Sequence, residues 1–391
     1  MKKSVWFLFG CSVLAVMPVQ AECPSMDITG DCRVDLADFA VVSRWWLDAC
    51  DASNSWCMGA DLFQSGSVNL DDLVVMVSLW QTNQLPGDMV AIPAGTFQMG
   101  DSKGEGNPWD ELLPVHTVTV DSFAMGKYEM TNGQYRDFLN SALAQGLITV
   151  TNGVVYKAGS GTSYPYCDTS TSISYSKIAF SNNTFSVQTK GGKDMTNHPM
   201  VDVSWYGAVA YCNWRSQQEG KQTCYNLSTW ACDFSKKGYR LATEAEWEYA
   251  ARGGLSGNRF PWGDTINQTQ ANFYSFPYSY DVSPVKYQCH PLWDDGIYPY
   301  TSPVGFFASG ANAYGLYDMA GNVWEWCNDW RGSYSSSSQT NPTGSTTGDM
   351  RVLRGGSWGN RSDSCRVAFR IGNNPNACNY NYGFRLVLDF E

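Results

Sequence analysis

The alternation of apolar and polar residues predicts a chain of short strands and a few short helices. His116–Val120 alternates with the period of two that marks a half-buried strand, and residues 89–100 alternate in a similar way before it. Another patch of period two, residues 180–189, lies within a segment rich in Ser, Thr and Tyr that covers residues 147–197. We interpret that segment as an elaborated loop or hairpin insertion.

Three helices are predicted from their start signals. Thr131 with Gln134, and Thr243 with Glu246, have the spacing of a capping box, in which the residue before the helix and its third residue cap each other. Ser204 is the expected N-cap of the helix between them. Glycines follow the first and the third pattern and mark the expected ends.

Residues 314–385 follow neither period. Trp, Gly, Asn and single charged residues are mixed there without helical or strand spacing. An irregular backbone must satisfy its polar groups with side chains, water or metal ions. The stretch therefore predicts a core held by specific side-chain networks rather than by long regular elements.

The N-terminus has the pattern of a bacterial secretory signal. Lys2 and Lys3 precede an apolar run at residues 5–17, and cleavage is expected after Ala21, which makes residues 1–21 the signal peptide. The alternative, a membrane anchor, is disfavoured because the run is shorter than the ~20 residues that span a bilayer. We expect a secreted or periplasmic protein, whose cysteines can form disulfides of a pairing that the sequence does not reveal.

The charge balance narrows the class of partner. The net charge is −11, and residues 22–83 hold ten acidic and only two basic residues. This balance argues against nucleic acid or an anionic membrane as a partner and fits cation binding. The three histidines, His116, His198 and His290, show no helical metal spacing, so a histidine-based iron or zinc site has no support.

Residues 22–83 contain one loop pattern twice, 34 residues apart. In each copy, oxygen-bearing side chains recur with the spacing of a twelve-residue EF-hand loop, and a segment with helical spacing and a Trp follows. The expected calcium ligands are Asp27, Thr29, Asp31, the carbonyl of Arg33, Asp35 and Asp38 in the first loop, and Asp61, Ser65, Ser67, Asn69 and Asp72 in the second.

The paired loops resemble a type I dockerin, a small all-α module. Cys32 replaces the turn glycine of the first loop and Phe63 occupies a ligand position of the second, so calcium is expected in the first loop rather than the second. The alternative is a small acidic helical hairpin without metal. Dockerins bind cohesin domains, so the resemblance implies a cohesin-like partner. A short Pro/Gly linker, residues 84–88, follows the module.

Several short sequence motifs carry a second resemblance, over residues 89–391. They include Arg-Leu-Ala-Thr-Glu-Ala-Glu-Trp-Glu-Tyr-Ala-Ala-Arg at residues 240–252, Gly-Asn-Val-Trp-Glu-Trp at 321–326, Arg-Gly-Gly-Ser-Trp at 354–358 and Gly-Phe-Arg at 383–385. In this order they resemble the formylglycine-generating enzyme (sulfatase-modifying factor) family. The resemblance implies an α+β, loop-rich fold with little regular secondary structure, related to C-type lectin-like folds.

That resemblance also implies two calcium ions in the large domain. Asp294 competes with Asp295 as the carboxylate of the first site. The alternative is that these carboxylates cap turns or pair with arginines. The implied ligands are Asn272, the carbonyl of Phe273, Asp295 and the carbonyl of Ile297 for the first ion, and Asp318, the carbonyls of Gly321 and Val323, and Glu325 for the second.

The family's redox centre holds copper between two cysteines, three and eight residues after the Ser of Gly-Gly-Ser. Here that serine is Ser357, so the first position is Asn360 and the second is Cys365. Thiolates are the ligands that Cu(I) prefers, so copper is expected only if another sulfur, such as that of Cys327 or Cys378, approaches Cys365. The resemblance places Trp324 and Ser357 in the active-site cleft.

Three functions are open at this point. The chain can be a secreted enzyme that resembles the oxidase converting a sulfatase cysteine to formylglycine, with a sulfatase polypeptide as its partner. It can instead be a catalytically degenerate, calcium-stabilised module that binds another protein or a glycan. The third possibility is an assembly component docked through the dockerin-like segment. The absence of a Walker loop argues against phosphate-loop chemistry.

Overall fold

The computed structural model describes residues 67–68, 85–105, 111–170 and 175–389. The chain separates into two compact units, Met1–Pro86 and Gly87–Glu391. The expected signal peptide and all expected ligands of the EF-hand-like loops except Ser67 lie outside the described residues. The remaining candidate site residues all belong to the second unit.

The second unit is loop-rich, with few helices and many short strands. Within the described residues the helices are α1 (Asn132–Ala144), α2 (Trp205–Gln218) and α3 (Glu244–Arg252), with a 3-10 turn at Ala308–Gly310. The strands are β1 (Met89–Ile92), β2 (Gly95–Met99), β3 (His116–Val120), β4 (Phe123–Gly126), β5 (Ile148–Thr151), β6 (Val154–Lys157), β7 (Pro165–Asp168), β8 (Ile178–Ser181), β9 (Thr184–Val187), β10 (Thr189–Lys190), β11 (Lys193–Asp194), β12 (Tyr239–Leu241), β13 (Trp324–Trp330), β14 (Gln339–Thr340), β15 (Arg351–Arg354), β16 (Arg370–Asn373), β17 (Tyr382–Gly383) and β18 (Leu386–Asp389).

These strands form small sheets. One sheet has the order β1-β4-β18-β12, a second has the order β16-β15-β13-β17, and a third has the order β14-β3-β2. Neighbouring strands in these sheets are antiparallel except for β13 with β17 and β14 with β3. Because the last strand, β18, pairs with β4 and β12, the two ends of the second unit fold together.

The predicted helix starts are confirmed. Thr131 and Gln134 form the capping box of α1, and Thr243 and Glu246 form that of α3. Ser204 caps α2 by accepting a hydrogen bond from a backbone N–H of the first helical turn. No helix in the described part of the chain is long and apolar enough to cross a membrane.

The strand predictions hold with one correction. Residues 89–100 form two strands rather than one, because Pro93 lacks the N–H that a continuous strand would donate, and β1 and β2 join different sheets. The hairpin prediction for residues 147–197 is confirmed, since β5 pairs with β6, β8 with β9 and β10 with β11, all antiparallel.

Residues of the motifs that carry the resemblance form ion pairs with one another in the core. The glutamates of α3 pair with arginines of their own motif and of other segments, and the side chains of Arg354 and Glu248 are both fully buried. Removing one partner of such a buried pair costs about 3–5 kcal/mol, because the other charge is left without compensation. The pairs are Arg370–Glu244 at 2.7 Å, Arg240–Glu246 at 2.7 Å, Arg252–Glu248 at 2.6 Å and Arg354–Glu248 at 2.6 Å.

Candidate functional site

The loop after β15 carries the candidate residues Ser357, Asn360 and Cys365. It begins with Gly355 and Gly356, whose φ values of +94° and +75° lie in the region that favours glycine. A Cβ added to Gly356 would lie 2.8 Å from the Cys365 sulfur. The glycine therefore allows the backbone to pass directly over the thiol.

Cys365 is fully buried among apolar side chains. Its Sγ faces the Arg361 carbonyl oxygen at 3.8 Å. Burial raises the pKa of the thiol well above its ordinary value, and the carboxylates of Asp363 and Asp281 raise it further. The thiolate that copper binding requires is therefore disfavoured. The apolar cluster around it consists of Phe260, Ile266, Ala271, Phe273 and Ala320.

Asn360 is engaged in a hydrogen-bond network at the position where the resemblance implies the other copper cysteine. Its Oδ1 accepts hydrogen bonds from Trp324 Nε1 at 2.8 Å and from Ser357 Oγ at 2.5 Å. Asn381 Nδ2 in turn donates to Ser357 Oγ at 2.8 Å. These four side chains, which we name the Asn360 network, tie β13, the loop after β15 and the residue before β17 together.

The two cysteines considered as substitute partners have other neighbours. Cys327 belongs to the large core cluster around Trp247, and its sulfur lies 4.0 Å from the Glu325 carbonyl oxygen. Burial raises the pKa of Cys378 above its ordinary value, and a hydrogen bond with the backbone of Asp168 lowers it by a smaller amount. All eight described cysteines are free thiols. Among the described residues, no second sulfur is recorded in contact with Cys365.

The residues of the implied second calcium site lie beside a third acidic side chain, Glu129. The Glu325 carboxylate pairs with the Arg385 guanidinium at 2.6 Å, and both side chains are buried. Asp318 Oδ2 accepts a hydrogen bond from the Gly305 N–H at 2.6 Å. Three buried carboxylates therefore share one guanidinium.

Glu129 was not predicted as a site residue. Its carboxylate accepts hydrogen bonds from Asn322 Nδ2 at 2.6 Å and from the Val323 N–H at 3.0 Å. Burial, and then the charges of Asp318 and Glu325, raise the pKa of Glu129 well above its ordinary value. Burial also raises the pKa of Asp318 to about 6.

This surplus of buried negative charge fits a divalent cation with oxygen ligands. No group of three or more His, Cys, Asp or Glu side chains in the described ranges has the arrangement of a metal site. A cation at Asp318 and Glu325 therefore needs backbone oxygens as well, and the resemblance implies the carbonyls of Gly321 and Val323 for that role.

The implied first calcium site fits less well, because its carboxylate is already neutralised. Asp295 pairs with Lys190 at 3.1 Å and with Lys193 at 3.6 Å. The buried Lys190 ammonium also donates to the carbonyl oxygens of Trp293 at 3.1 Å and Pro299 at 2.8 Å. A lysine ammonium thus already occupies a cluster of oxygens that would otherwise suit a cation.

The other three residues of that set have different environments. Asn272 Nδ2 donates to the Tyr300 carbonyl at 2.8 Å, whereas its Oδ1 is buried without a partner, the one feature here that fits a cation ligand. The Phe273 carbonyl accepts a hydrogen bond from Gln268 Nε2 at 2.9 Å. Ile297 is 47% exposed. Taken together, the set does not fit a calcium ion.

A patch of aromatic side chains borders the Asn360 network and was not predicted. Neighbouring rings have centroids 4.6 to 5.9 Å apart, and Tyr298 and Tyr380 are each 38% exposed. Trp358 directly follows Ser357, and Tyr380 directly precedes Asn381. We name Tyr175, Tyr298, Tyr300, Trp358 and Tyr380 the aromatic patch.

Comparison with known proteins places these features in a family. The family described as the sulfatase-modifying factor enzyme 1-like domain matches residues 78–390. The formylglycine-generating enzyme of Thermomonospora curvata is 35% identical over 321 residues, which cover 77% of this chain and 93% of that protein.

Two further similarities bear on fold and activity. The inactive C-alpha-formylglycine-generating enzyme 2 of Bos taurus is 32% identical over 317 residues, which cover 76% of this chain and 87% of that protein. The crystal structure of CarF has a TM-score of 0.50 at 24% identity, and the match covers 78% of this chain and 99% of that one. The similarity to CarF shows the fold alone.

The buried carboxylates predict how stability depends on pH. Without added metal, the free energy of unfolding should fall as the pH rises from about 5 to about 8. The pKa values of Asp318, about 6, and of Asp202, about 7, are raised, so the folded state holds protons that the unfolded state has already released. The rise in the pKa of Asp318 from 3.8 to about 6 should by itself lower the free energy of unfolding by about 3 kcal/mol, counted from about pH 4 to a pH at which the group is ionised in the folded state.

Urea unfolding at the two ends of this pH range measures the effect. The Asp318→Asn variant is the matched control, because it cannot ionise and should lose its share of the pH dependence. If the unmodified protein were equally or more stable at the higher pH, that result would contradict the burial of these carboxyl groups without a compensating positive charge.

Proposed function

Because this chain belongs to the sulfatase-modifying factor family, which includes formylglycine-generating enzymes, we propose that it uses the family scaffold to bind a polypeptide without oxidising it. One observation carries this proposal. At the two positions of the redox centre, Cys365 is a buried thiol with a raised pKa, and Asn360 is a hydrogen-bond acceptor for Trp324 and Ser357.

Copper-dependent oxidation makes demands that these residues do not meet. In the resembled reaction, O₂ and copper held by two cysteines convert a cysteine of the sulfatase to formylglycine. Cu(I) needs soft thiolate ligands, and a carboxamide oxygen is not a substitute for one. A single thiol whose charged form is disfavoured by burial supplies at most one ligand. The chain is 32% identical to a relative named as inactive, which is compatible with this loss.

The surface around the network is suited to a polypeptide. The aromatic patch offers large, rigid rings, of which Tyr298 and Tyr380 are each 38% exposed, and aromatic rings dominate binding surfaces. Beside it lies the half-buried side chain of Asn360, a neutral group able to hydrogen-bond to a peptide backbone. Apolar rings next to neutral hydrogen-bonding groups match the alternating side chains and amides of an extended peptide.

A sulfatase-derived peptide that contains the modifiable cysteine should therefore bind and remain unoxidised. Fluorescence anisotropy measures the binding, and mass spectrometry after incubation with Cu(I) and O₂ detects the aldehyde. Replacing Tyr298 and Tyr380 together by Ala should weaken binding at least tenfold, about 1.4 kcal/mol. Tyr287→Ala is the control, because Tyr287 is 63% exposed and outside the aromatic patch.

Three results would contradict this proposal. Formation of the aldehyde would show that the chain is an active oxidase despite Asn360. Peptide binding that is equal in the double variant and in Tyr287→Ala would show that the aromatic patch is not the binding surface, and patch-dependent binding of a glycan alone would assign a different ligand.

We also propose that a calcium ion is bound at Asp318 and Glu325, with the carbonyls of Gly321 and Val323 and with Glu129 nearby. The support is the surplus of buried carboxylates over guanidinium groups. Calcium should reduce the loss of stability between about pH 5 and about pH 8 in the unmodified protein by the share that Asp318 contributes, and it should leave Asp318→Asn unchanged. A calcium-independent pH profile would exclude this site.

The export signal and the dockerin-like module stay predictions from the sequence. We propose that residues 22–83 attach the exported chain to a cohesin-like protein, supported by the two loops at a fixed offset and by the acidic composition of the segment. Calcium-dependent capture of a cohesin by the full chain, lost on replacing both Asp27 and Asp61 by Ala, would support the docking role. Capture that is indifferent to chelator would refute it.

A further inference from the structure

A cavity of about 400 Å³ lies near the other end of β13 from the Asn360 network. Its lining includes Asp329 of β13 and the loop segments 332–335 and 342–345. Trp324, at the start of the strand, contacts Asn360, and a strand rises about 3.3 Å per residue, so Asp329 lies about 16 Å further along. The cavity is therefore separate from the cleft, and its size lies in the range of about 300–1,000 Å³ of ligand pockets.

Asp329 presents a carboxyl oxygen that the protein does not use. The side chain is 3% exposed, and its Oδ2 accepts a hydrogen bond from the Glu244 N–H at 3.0 Å. Within the described residues, Oδ1 has no hydrogen-bond partner. Burial, and then the Glu244 carboxylate, raise the pKa of Asp329 to about 8, so the group is mostly a neutral acid at pH 7. With Oδ2 acting as an acceptor, the proton resides on Oδ1, which becomes a donor.

His116 supplies the complementary acceptor. The side chain is 3% exposed, and its Nδ1 lies 3.0 Å from the Pro114 carbonyl oxygen, which can only accept. Nδ1 therefore carries a proton and donates to that carbonyl, so whenever the ring holds one proton, Nε2 carries a lone pair. His116 lines the cavity, its ring lies 5.0 Å from that of Tyr334, and no residue of the described ranges is bonded to Nε2.

The charged groups of the cavity wall already have partners. The Glu244 carboxylate pairs with Arg370 at 2.7 Å and with Arg354 at 3.1 Å, and it accepts a hydrogen bond from the Tyr334 hydroxyl at 3.1 Å. Arg370 Nη1 donates to the Gly332 carbonyl at 2.8 Å. Neither an anionic nor a cationic ligand would find an uncompensated opposite charge here.

The unused polar groups of the cavity include Asp329 Oδ1, His116 Nε2 and two hydroxyls. In the described part of the chain, the hydroxyls of Ser333 and Thr343 form no hydrogen bonds, and each can both donate and accept. The rings of Trp330 and Tyr334 form part of the wall. A ligand that satisfies this wall must carry several hydroxyls and an apolar face.

We propose that this cavity binds a neutral sugar residue, with Asp329 as a hydrogen-bond donor and His116 Nε2 as an acceptor. A wall that offers donors, acceptors and hydroxyls can bind the hydroxyls of a pyranose ring, whose C–H face would pack against Trp330 or Tyr334. This site does not depend on peptide binding in the cleft, because no residue of the Asn360 network or of the aromatic patch lines it.

The test uses the full-length exported chain and a defined set of probes. Glucose, galactose, mannose and N-acetylglucosamine are the neutral sugars, and sodium phosphate and methylamine are the charged comparators. Saturation-transfer NMR and calorimetric titration at about pH 7 should show binding of at least one sugar and of neither comparator. Ser333→Trp, which fills the cavity from an exposed loop position, should weaken that binding at least tenfold. Ser337→Trp, in the same loop but outside the lining, is the matched control and should bind as the unmodified protein does.

The pH dependence tests the role of Asp329 itself. Sugar affinity should fall about tenfold between about pH 7 and about pH 9, because the donor is lost when the carboxyl ionises. Asp329→Asn keeps a neutral donor and should bind sugar with no such fall. Absence of binding for all four sugars, preferential binding of phosphate or methylamine, or equal effects of Ser333→Trp and Ser337→Trp would each overturn the assignment.

Discussion

Buried pairs of arginine and carboxylate hold the irregular part of this fold together. Arg354 and Arg385 have almost no exposed surface, and each meets a glutamate, Glu248 or Glu325, at 2.6 Å in the interior. Such pairs are stable only when both partners and their geometry are kept, because a lone buried charge is costly. Short strands and glycine turns then suffice for the rest, since the Arg354–Glu248 pair links β15 to helix α3.

The residues that form these ion pairs stabilise the fold and are distinct from the residues at the redox positions. The motifs that identify the family contain residues that pair with one another in the core. The presence of these motifs is therefore explained by folding and says little about catalysis. At the redox positions, by contrast, Asn360 has become the acceptor for Trp324 and Ser357, the two residues expected to line the cleft. Residues of the resembled active site thus serve here as structural hydrogen-bond donors.

The sequence predicted the local features well and the long-range ones poorly. Capping boxes are read within four residues, and both that were predicted are present in the structure. Glu129 was missed because its partners, Asn322 and Val323, lie 193 and 194 residues away. Nothing in the sequence around Asp295 shows that a lysine from a distant hairpin neutralises it.

The aromatic patch and the cavity beside Asp329 were not predicted from the sequence, for the same physical reason. Each is assembled from loops that are distant in sequence, so no local spacing reveals it. Asp329 in particular sits in a strand with no sign that one carboxyl oxygen faces a cavity. Long-range placement also decides the chemistry of Cys365, because the apolar cluster that raises the pKa of its thiol comes from residues 260–320.

The most direct measurement is the rate at which Cys365 reacts with iodoacetamide in the folded protein, followed by mass spectrometry of its peptide. Cys232 and Cys289 are partly exposed and serve as internal controls. We expect Cys365 to remain unlabelled until the protein unfolds, because it is buried and its thiolate is disfavoured. Labelling of Cys365 as fast as or faster than the controls under native conditions would show an accessible, reactive thiol and would contradict the loss of the redox centre.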